Sequence, residues 1–144
     1  MQISISYVEI YNEMIRDLLA PREAFLDLRE DPIRGVSLAG AVEMRVESAE
    51  DVMGLLFQGN RRRTTEATNA NQTSSRSHAV FQVSLQASPR SKNVNIERVS
   101  SKLSLIDLAG SERGTVTENR GLRLREGAKI NQSLLALANC INAL

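Results

Sequence analysis

Leu103-Ser-Leu-Ile-Asp-Leu-Ala-Gly-Ser-Glu112 is the stretch on which the fold turns. Leu103, Leu105, Ile106 and Leu108 make an apolar run of strand length that ends at a glycine, which predicts a buried strand. Asp107 then stands at the carboxyl end of that strand, the place where open α/β sheets meet their ligands. A strand-end aspartate can hold Mg²⁺ through water, and Gly110, lacking a Cβ, lets its N–H approach a phosphate closely. Turns also favour Asp-x-x-Gly, so on this segment alone a strand ending in an ordinary turn is an equal reading.

Upstream, His78 to Ala87 alternates as a second strand through Val83 and Leu85, with Ser88 to Ser101 as a connection. A polar stretch from Asn60 to Ser77 precedes it and reads as a long loop, a length that points to function. Inside it lies Asn71-Gln-Thr-Ser-Ser-Arg-Ser-His78. Its serine hydroxyls suit Mg²⁺ and phosphate oxygens, and Arg76 is a fixed charge for an anion or a carboxylate. Taken alone, the serines fit a solvated turn better.

Further back, Ser48 and Asp51 form a start like a capping box, and Val52, Leu55 and Leu56 define a helical face expected to end near Gly59. The basic run Arg61 to Arg63 complements a helix C-terminus, with nucleotide-side contacts as the other reading. Between Ala24 and Val46, Asp31-Pro32, Gly35 and Gly40 punctuate small strands. At the N-terminus, Ile3, Ile5 and Tyr7 alternate with serines before Val8 and Ile10 make the other parity apolar, predicting a strand buried on both faces. Asn12 is placed to cap a short helix carrying Ile15, Leu18 and Leu19, which Pro21 stops. Tyr7 and Tyr11 are expected to pack against the sheet.

Downstream, Ala109 to Glu126 holds Gly110, Gly114 and Gly121 and reads as a second flexible loop. Ile130, Leu134, Leu137, Ile141 and Leu144 then recur at spacings of four and three, an amphipathic helix. Cys140 lies on it as an expected small core side chain. His78 lacks a second histidine and is expected to be structural.

The chain has 144 residues, 42% hydrophobic and 24% charged, a globular balance sized for one domain. Eighteen basic and seventeen acidic side chains give a formal charge of +1, no global signature of a nucleic-acid binder. Fifteen of the basic residues are arginines, which leaves local anion contacts open. One cysteine and one histidine exclude a disulfide framework and leave a zinc site almost no ligands. No apolar run is long enough to span a bilayer, so no membrane role is expected, and a reducing, intracellular compartment is the default. The first strand begins at residue 2 and the last helix has no terminal cap, so a fragment of a larger domain is expected.

Asn71 to His78 and Asp107 to Glu112 together resemble switch I and switch II of the kinesin motor domain, without a mismatch and in the family order. Tyr7 to Leu19 is similar to that family's strand and short helix, and Lys129 to Leu137 to the start of its relay helix. The resemblance covers essentially the whole chain. It implies an α/β fold of the kinesin P-loop NTPase type, a central mixed sheet flanked by helices and truncated at both ends.

The roles it implies attach to numbered residues. Ser75 would meet Mg²⁺ and the γ-phosphate of ATP, and Ser74 would help hold the attacking water. Asp107 would reach the metal through water, and Gly110 would donate its N–H to the γ-phosphate. Arg76 and Glu112 would form a salt bridge as the switches close and relay the proton. Asn71 would belong to the nucleotide site, and Asn131 would couple the second loop to the helix. Arg120, Arg123, Arg125 and Lys129, with Arg34 as a weaker candidate, would face the acidic surface of tubulin in microtubules. For each of these a solvated basic face is an equal reading.

The parent would be a cytoplasmic, cytoskeletal microtubule motor, with a cilium and a homodimer both open. Thr64 to Asn71 and the ending Asn139-Cys-Ile-Asn-Ala-Leu144 resemble the branch of length-regulating kinesins. Two departures stand out: Gln132 occupies a position that is often basic, and Ala138 one that is often glycine.

A phosphate loop needs Gly-x-x-x-x-Gly-Lys-Ser/Thr. Gly35 to Gly40 and Gly54 to Gly59 have the glycine spacing, yet they continue Ala-Val and Asn-Arg. Without that loop, little ATP affinity and no hydrolysis are expected of these 144 residues alone. A non-catalytic microtubule-binding fragment is the alternative, and a different phosphate-loop NTPase such as a GTPase is a third reading.

Overall fold

The computed structural model describes residues 1–32, 35–65, 76–87, 99–110 and 122–142. Its element order is β1 (Gln2–Tyr11), β2 (Met14–Asp17), β3 (Phe25–Asp31), β4 (Gly35–Ala39), β5 (Met44–Val46), α1 (Ala49–Thr65), β6 (His78–Ala87), β7 (Val99–Asp107) and α2 (Leu122–Asn142). The strands form one sheet in the order β4-β3-β2-β1-β6-β7, with β5 pairing the first half of β1 on the edge that β2 occupies further along. The pairings among the described strands are antiparallel, with Tyr7 opposite Phe81 and Phe81 opposite Leu105.

The double apolar parity of β1 puts it at the centre. Ile5 and Tyr7 face α1, Val8 faces the other side, and all three are buried. The main core joins Ile5, Tyr7, Leu18, Leu19, Val46, Ala79 and Phe81, against which the expected helical face Val52, Leu55 and Leu56 packs. Tyr7 meets Phe81 edge-on at a 5.3 Å centroid separation and donates its hydroxyl to Asn60 Oδ1 at 2.6 Å. Burial pushes the Tyr7 phenol up. Tyr11 is half-buried on the same strand.

Where a short helix was expected after Asn12, the chain makes a β-hairpin. Asn12 and Glu13 both take left-handed φ, 51° and 67°, and return the chain from Tyr11 directly to Met14. Two consecutive positive-φ residues make the mirror-image turn that matches strand twist, and asparagine favours it as readily as it favours a helix cap. The chain then bends at Asp17. This buried carboxylate accepts N–H bonds from Leu19 (2.8 Å), Ala20 (3.1 Å) and Val42 (2.7 Å), which fixes residues 18–20 outside any helix.

The α1 start is as expected. Ser48 Oγ accepts the Asp51 N–H, and Asp51 Oδ2 accepts those of Ser48 and Glu47. Those backbone donors, Glu47 first, hold the Asp51 carboxyl below its ordinary range. The helix does not end near Gly59, however; it continues to Thr65, taking in the first part of the expected loop. Gly59 survives mid-helix because it lies against the Tyr7 ring, where no Cβ would fit.

Neither false phosphate loop is a strand–loop–helix. Gly35 to Gly40 is β4 and its turn, with Gly40 at φ 82°, and Gly54 to Gly59 lies within α1.

Two burial expectations fail. Leu103, Leu105 and Ile106 of β7 are each more than half exposed, because β7 is the last strand of the described sheet and neither helix covers it. Cys140 is exposed on α2, as are Leu135 and Ile141, because α2 meets the sheet only along part of one face.

Candidate switch site

Glu9 is the charged exception in the apolar strand β1, and it organises the site. Its carboxylate is buried and accepts from Arg16 at 2.6 Å, while its second oxygen lies 3.7 Å from Arg63 Nε. Arg63, in the last turn of α1, spans from this acid to the sheet's other edge. It donates to Ser77 Oγ at 3.2 Å, to Ser77 C=O at 2.8 Å and to Asp107 Oδ2 at 2.6 Å. Arg62 caps the opposite direction, donating to the carbonyls of Leu18 (2.9 Å) and Ala20. The basic end of α1 therefore does more than complement a helix dipole, since Arg63 binds at the predicted site.

Asp107 ends β7 beside Ala79 and leaves 71% of its side chain exposed, although Arg63 holds one of its oxygens. Beyond it, the buried Ala109 donates its N–H to His78 Nδ1 at 3.1 Å. Gly110 is exposed at the strand exit, and a Cβ there would meet no described atom.

His78, buried at the head of β6, also reaches α2. Its Nε2 lies 2.8 Å from Ser133 Oγ, and that hydroxyl is 2.8 Å from the carbonyl of Ile130. Because Nδ1 accepts, the ring proton sits on Nε2 and donates to Ser133, which donates onward. Burial, and then the Arg63 cation, push the His78 pKa down, against a smaller upward pull from Asp107.

Arg76 faces a separate small cavity, lined with Asn12, Glu13, His78, Lys129 and Ser133 among others. Lys129 pairs there with Glu13 at 3.0 Å, so this candidate tubulin contact also ties α2 to the β1–β2 turn. Asn131 is exposed on α2. Arg123 and Arg125 lie in the first turn of α2, with side chains outside the described set. Ser74, Ser75, Asn71, Glu112, Arg120 and Arg34 fall outside the described residues.

The structure thus brings Ser77, from one motif, and Asp107, from the other, onto one guanidinium. Sequence reasoning missed Glu9 as a member of the site and held Arg63 only as the second reading of the basic run Arg61 to Arg63. The available signal was a glutamate inside a strand otherwise fit for burial, which demands a buried cation.

The family model for the kinesin motor domain matches residues 1–144. Human kinesin-like protein KIF19 is 57% identical over 143 residues, covering 99% of this chain and 14% of that protein. The Arabidopsis thaliana kinesin-like protein KIN-8B is 52% identical over 143 residues (99% and 17%), and the Saccharomyces cerevisiae kinesin-like protein KIP3 is 51% identical over 145 (99% and 18%). Among solved structures, a KIF14 dimer in a two-heads-bound state with AMP-PNP, in complex with a microtubule, matches at TM-score 0.82 and 39% identity. That match covers 99% of this chain and 42% of the other. The chain therefore spans less than a fifth of these three curated relatives.

Proposed function

Because this chain belongs to the kinesin motor domain family, we propose that it is the switch-bearing part of an ATP-driven microtubule motor. The observation that carries the reading is Arg63, which joins Ser77 to Asp107 through bonds of 2.8 and 2.6 Å. Two segments that sense one phosphate must meet at a fixed point, and this is such a point.

The donor set suits Mg²⁺. Asp107 is an exposed hard-oxygen ligand, and Mg²⁺ keeps several waters while taking one or two carboxylates and substrate phosphates. Asp107 would hold it through water and Ser75 directly, and the ion would supply charge neutralisation at the phosphates. Ser74 and Ser75 orient the water and the terminal phosphate, Asn71 borders the nucleotide, and the Gly110 N–H binds a phosphate oxygen. Arg76 and Glu112 close over the water as an ion pair. The guanidinium holds the carboxylate in place and the Glu112 carboxylate accepts the water's proton, a contribution of positioning and electrostatics. Asn131 couples the second loop to α2, whose basic first turns, with Arg120, Arg34 and Lys129, face tubulin.

The phosphate loop is absent from residues 1–144, so the nucleotide's main binding energy comes from elsewhere in the motor. Similarity to KIF19, KIN-8B and KIP3 supports the branch of length-regulating kinesins. The motor would act at cytoplasmic microtubules, with a cilium open as a further location.

The test is microtubule-stimulated ATP turnover of the complete protein carrying Arg76→Ala or Glu112→Ala. Near-complete loss is expected; an unchanged rate refutes these roles.

A further inference from the structure

Three elements converge on one side chain that the proposed chemistry does not use. His78 starts β6, receives the Ala109 N–H from the exit of β7, and gives its own N–H to Ser133 of α2. It is 8% exposed, and both ring nitrogens are engaged in a single direction of donation, Ala109 to His78 to Ser133 to Ile130. Ala109 adjoins Gly110, the residue assigned to the phosphate. Ser133 lies one turn beyond Lys129, which grips the β1–β2 turn through Glu13. Glu13 itself is held at φ 67°, a conformation uncommon for this residue type, and its carboxylate meets α2 there. Both ties fall on the same face of the helix, four residues apart.

We propose that His78 is a positioning residue that couples the Ala109–Gly110 segment to α2, so that movement of one is felt by the other. This rests on the motor reading above. A displacement of Gly110 toward an anion carries the neighbouring Ala109 amide with it. The imidazole then follows, moving the Ser133 end of α2, or loses its donor. Either response changes the helix, because Nδ1 and Nε2 belong to one rigid ring.

Amide side chains separate the two halves of the bridge. In His78→Asn the side-chain oxygen takes the place of Nδ1 and keeps the Ala109 bond, but it is too short for Ser133. In His78→Gln the terminal amide takes the place of Nε2 and keeps Ser133, leaving the Ala109 N–H unmatched. Ser133→Ala removes the helix side alone and leaves His78 intact.

The complete protein is assayed for ATP turnover with and without microtubules. Amide exchange at Ala109 and across residues 130–142 is followed with ADP and with a non-hydrolysable ATP analogue. His78→Asn and Ser133→Ala should keep basal turnover within about twofold. Both should lose about three- to tenfold of the microtubule stimulation, the worth of one neutral hydrogen bond. In both, α2 exchange should stop responding to nucleotide while Ala109 stays protected; His78→Gln should expose Ala109. Normal stimulation and a responsive α2 in His78→Asn and Ser133→Ala overturn the proposal, as does equal behaviour of the Asn and Gln variants. If His78→Asn does not fold, Ser133→Ala decides alone. A wild-type protein that neither turns over ATP nor binds microtubules refutes the motor reading instead, and Ala109 protection still reports on the bridge.

Discussion

One helix carries two glycines that should answer the same substitution with opposite signs. At Gly54, a Cβ would meet no described atom, so Gly54→Ala should gain the helix-propensity difference, about 0.8–1 kcal/mol. At Gly59, the Cβ would collide with Tyr7 Cδ1, stand 2.6 Å from Cε1 and lie 3.4 Å from Leu18 Cβ. Tyr7 cannot retreat cheaply, since its ring is buried, packed edge-on against Phe81 and tethered by its hydroxyl to Asn60. Overpacking of this kind costs about 1–3 kcal/mol, more than the propensity gain, so Gly59→Ala should lose roughly 0–2 kcal/mol net. The two variants should therefore differ by about 1–3 kcal/mol. Urea denaturation of the complete protein, with midpoints compared at constant slope, measures this. Repeating Gly59→Ala in a Tyr7→Leu background should shrink the penalty, because the colliding ring is gone. Equal stabilisation by Gly54→Ala and Gly59→Ala would refute the packing argument. Arg63 lies one turn beyond Gly59, so a displaced helix should also loosen its grip on Asp107.

Arg63→Met should destabilise by about 3–5 kcal/mol, the scale for stripping one partner from a buried ion network, since Glu9 loses the second of its two cations and the Ser77 carbonyl loses its donor. Adding Glu9→Gln should recover part of that, and full additivity in thermal unfolding would count against the network. Ser48→Ala should cost about 1 kcal/mol through the lost N-cap. The Asp51 carboxyl is held below its ordinary range, so its contribution is complete above the unfolded value near 3.8 and fades as pH falls through the lower folded value. In Asp51→Asn, acid unfolding should lose that component, seen as a flatter stability profile below about pH 4.

The legible parts of the fold were those decided by local pattern. The alternation from His78 to Ala87 coincides with β6 residue for residue, and Ser48 with Asp51 marks the start of α1. Asn12 was ambiguous because one side-chain chemistry serves both a helix cap and a left-handed turn, and only pairing with β1 selects the turn. Gly59 misled because its reason is tertiary: it makes room for a ring 52 positions earlier in the chain. Exposure of Leu105 and Cys140 could not be read from apolarity, which states what a side chain prefers and not what lies over it. Within the site, the motif residues advertised themselves, whereas Arg63 did not, because its meaning comes from Glu9, Ser77 and Asp107 converging from three strands and their ends.

The Asp17 carboxylate gathers amides from both the departure and the return of the β3–β4 excursion, at residues 19, 20 and 42. A surface arm clasped at its root is mechanically insulated from what it carries. Its outer strands can be lengthened, shortened or exchanged while the Arg63 cluster behind the clasp keeps its bonds to Ser77 and Asp107.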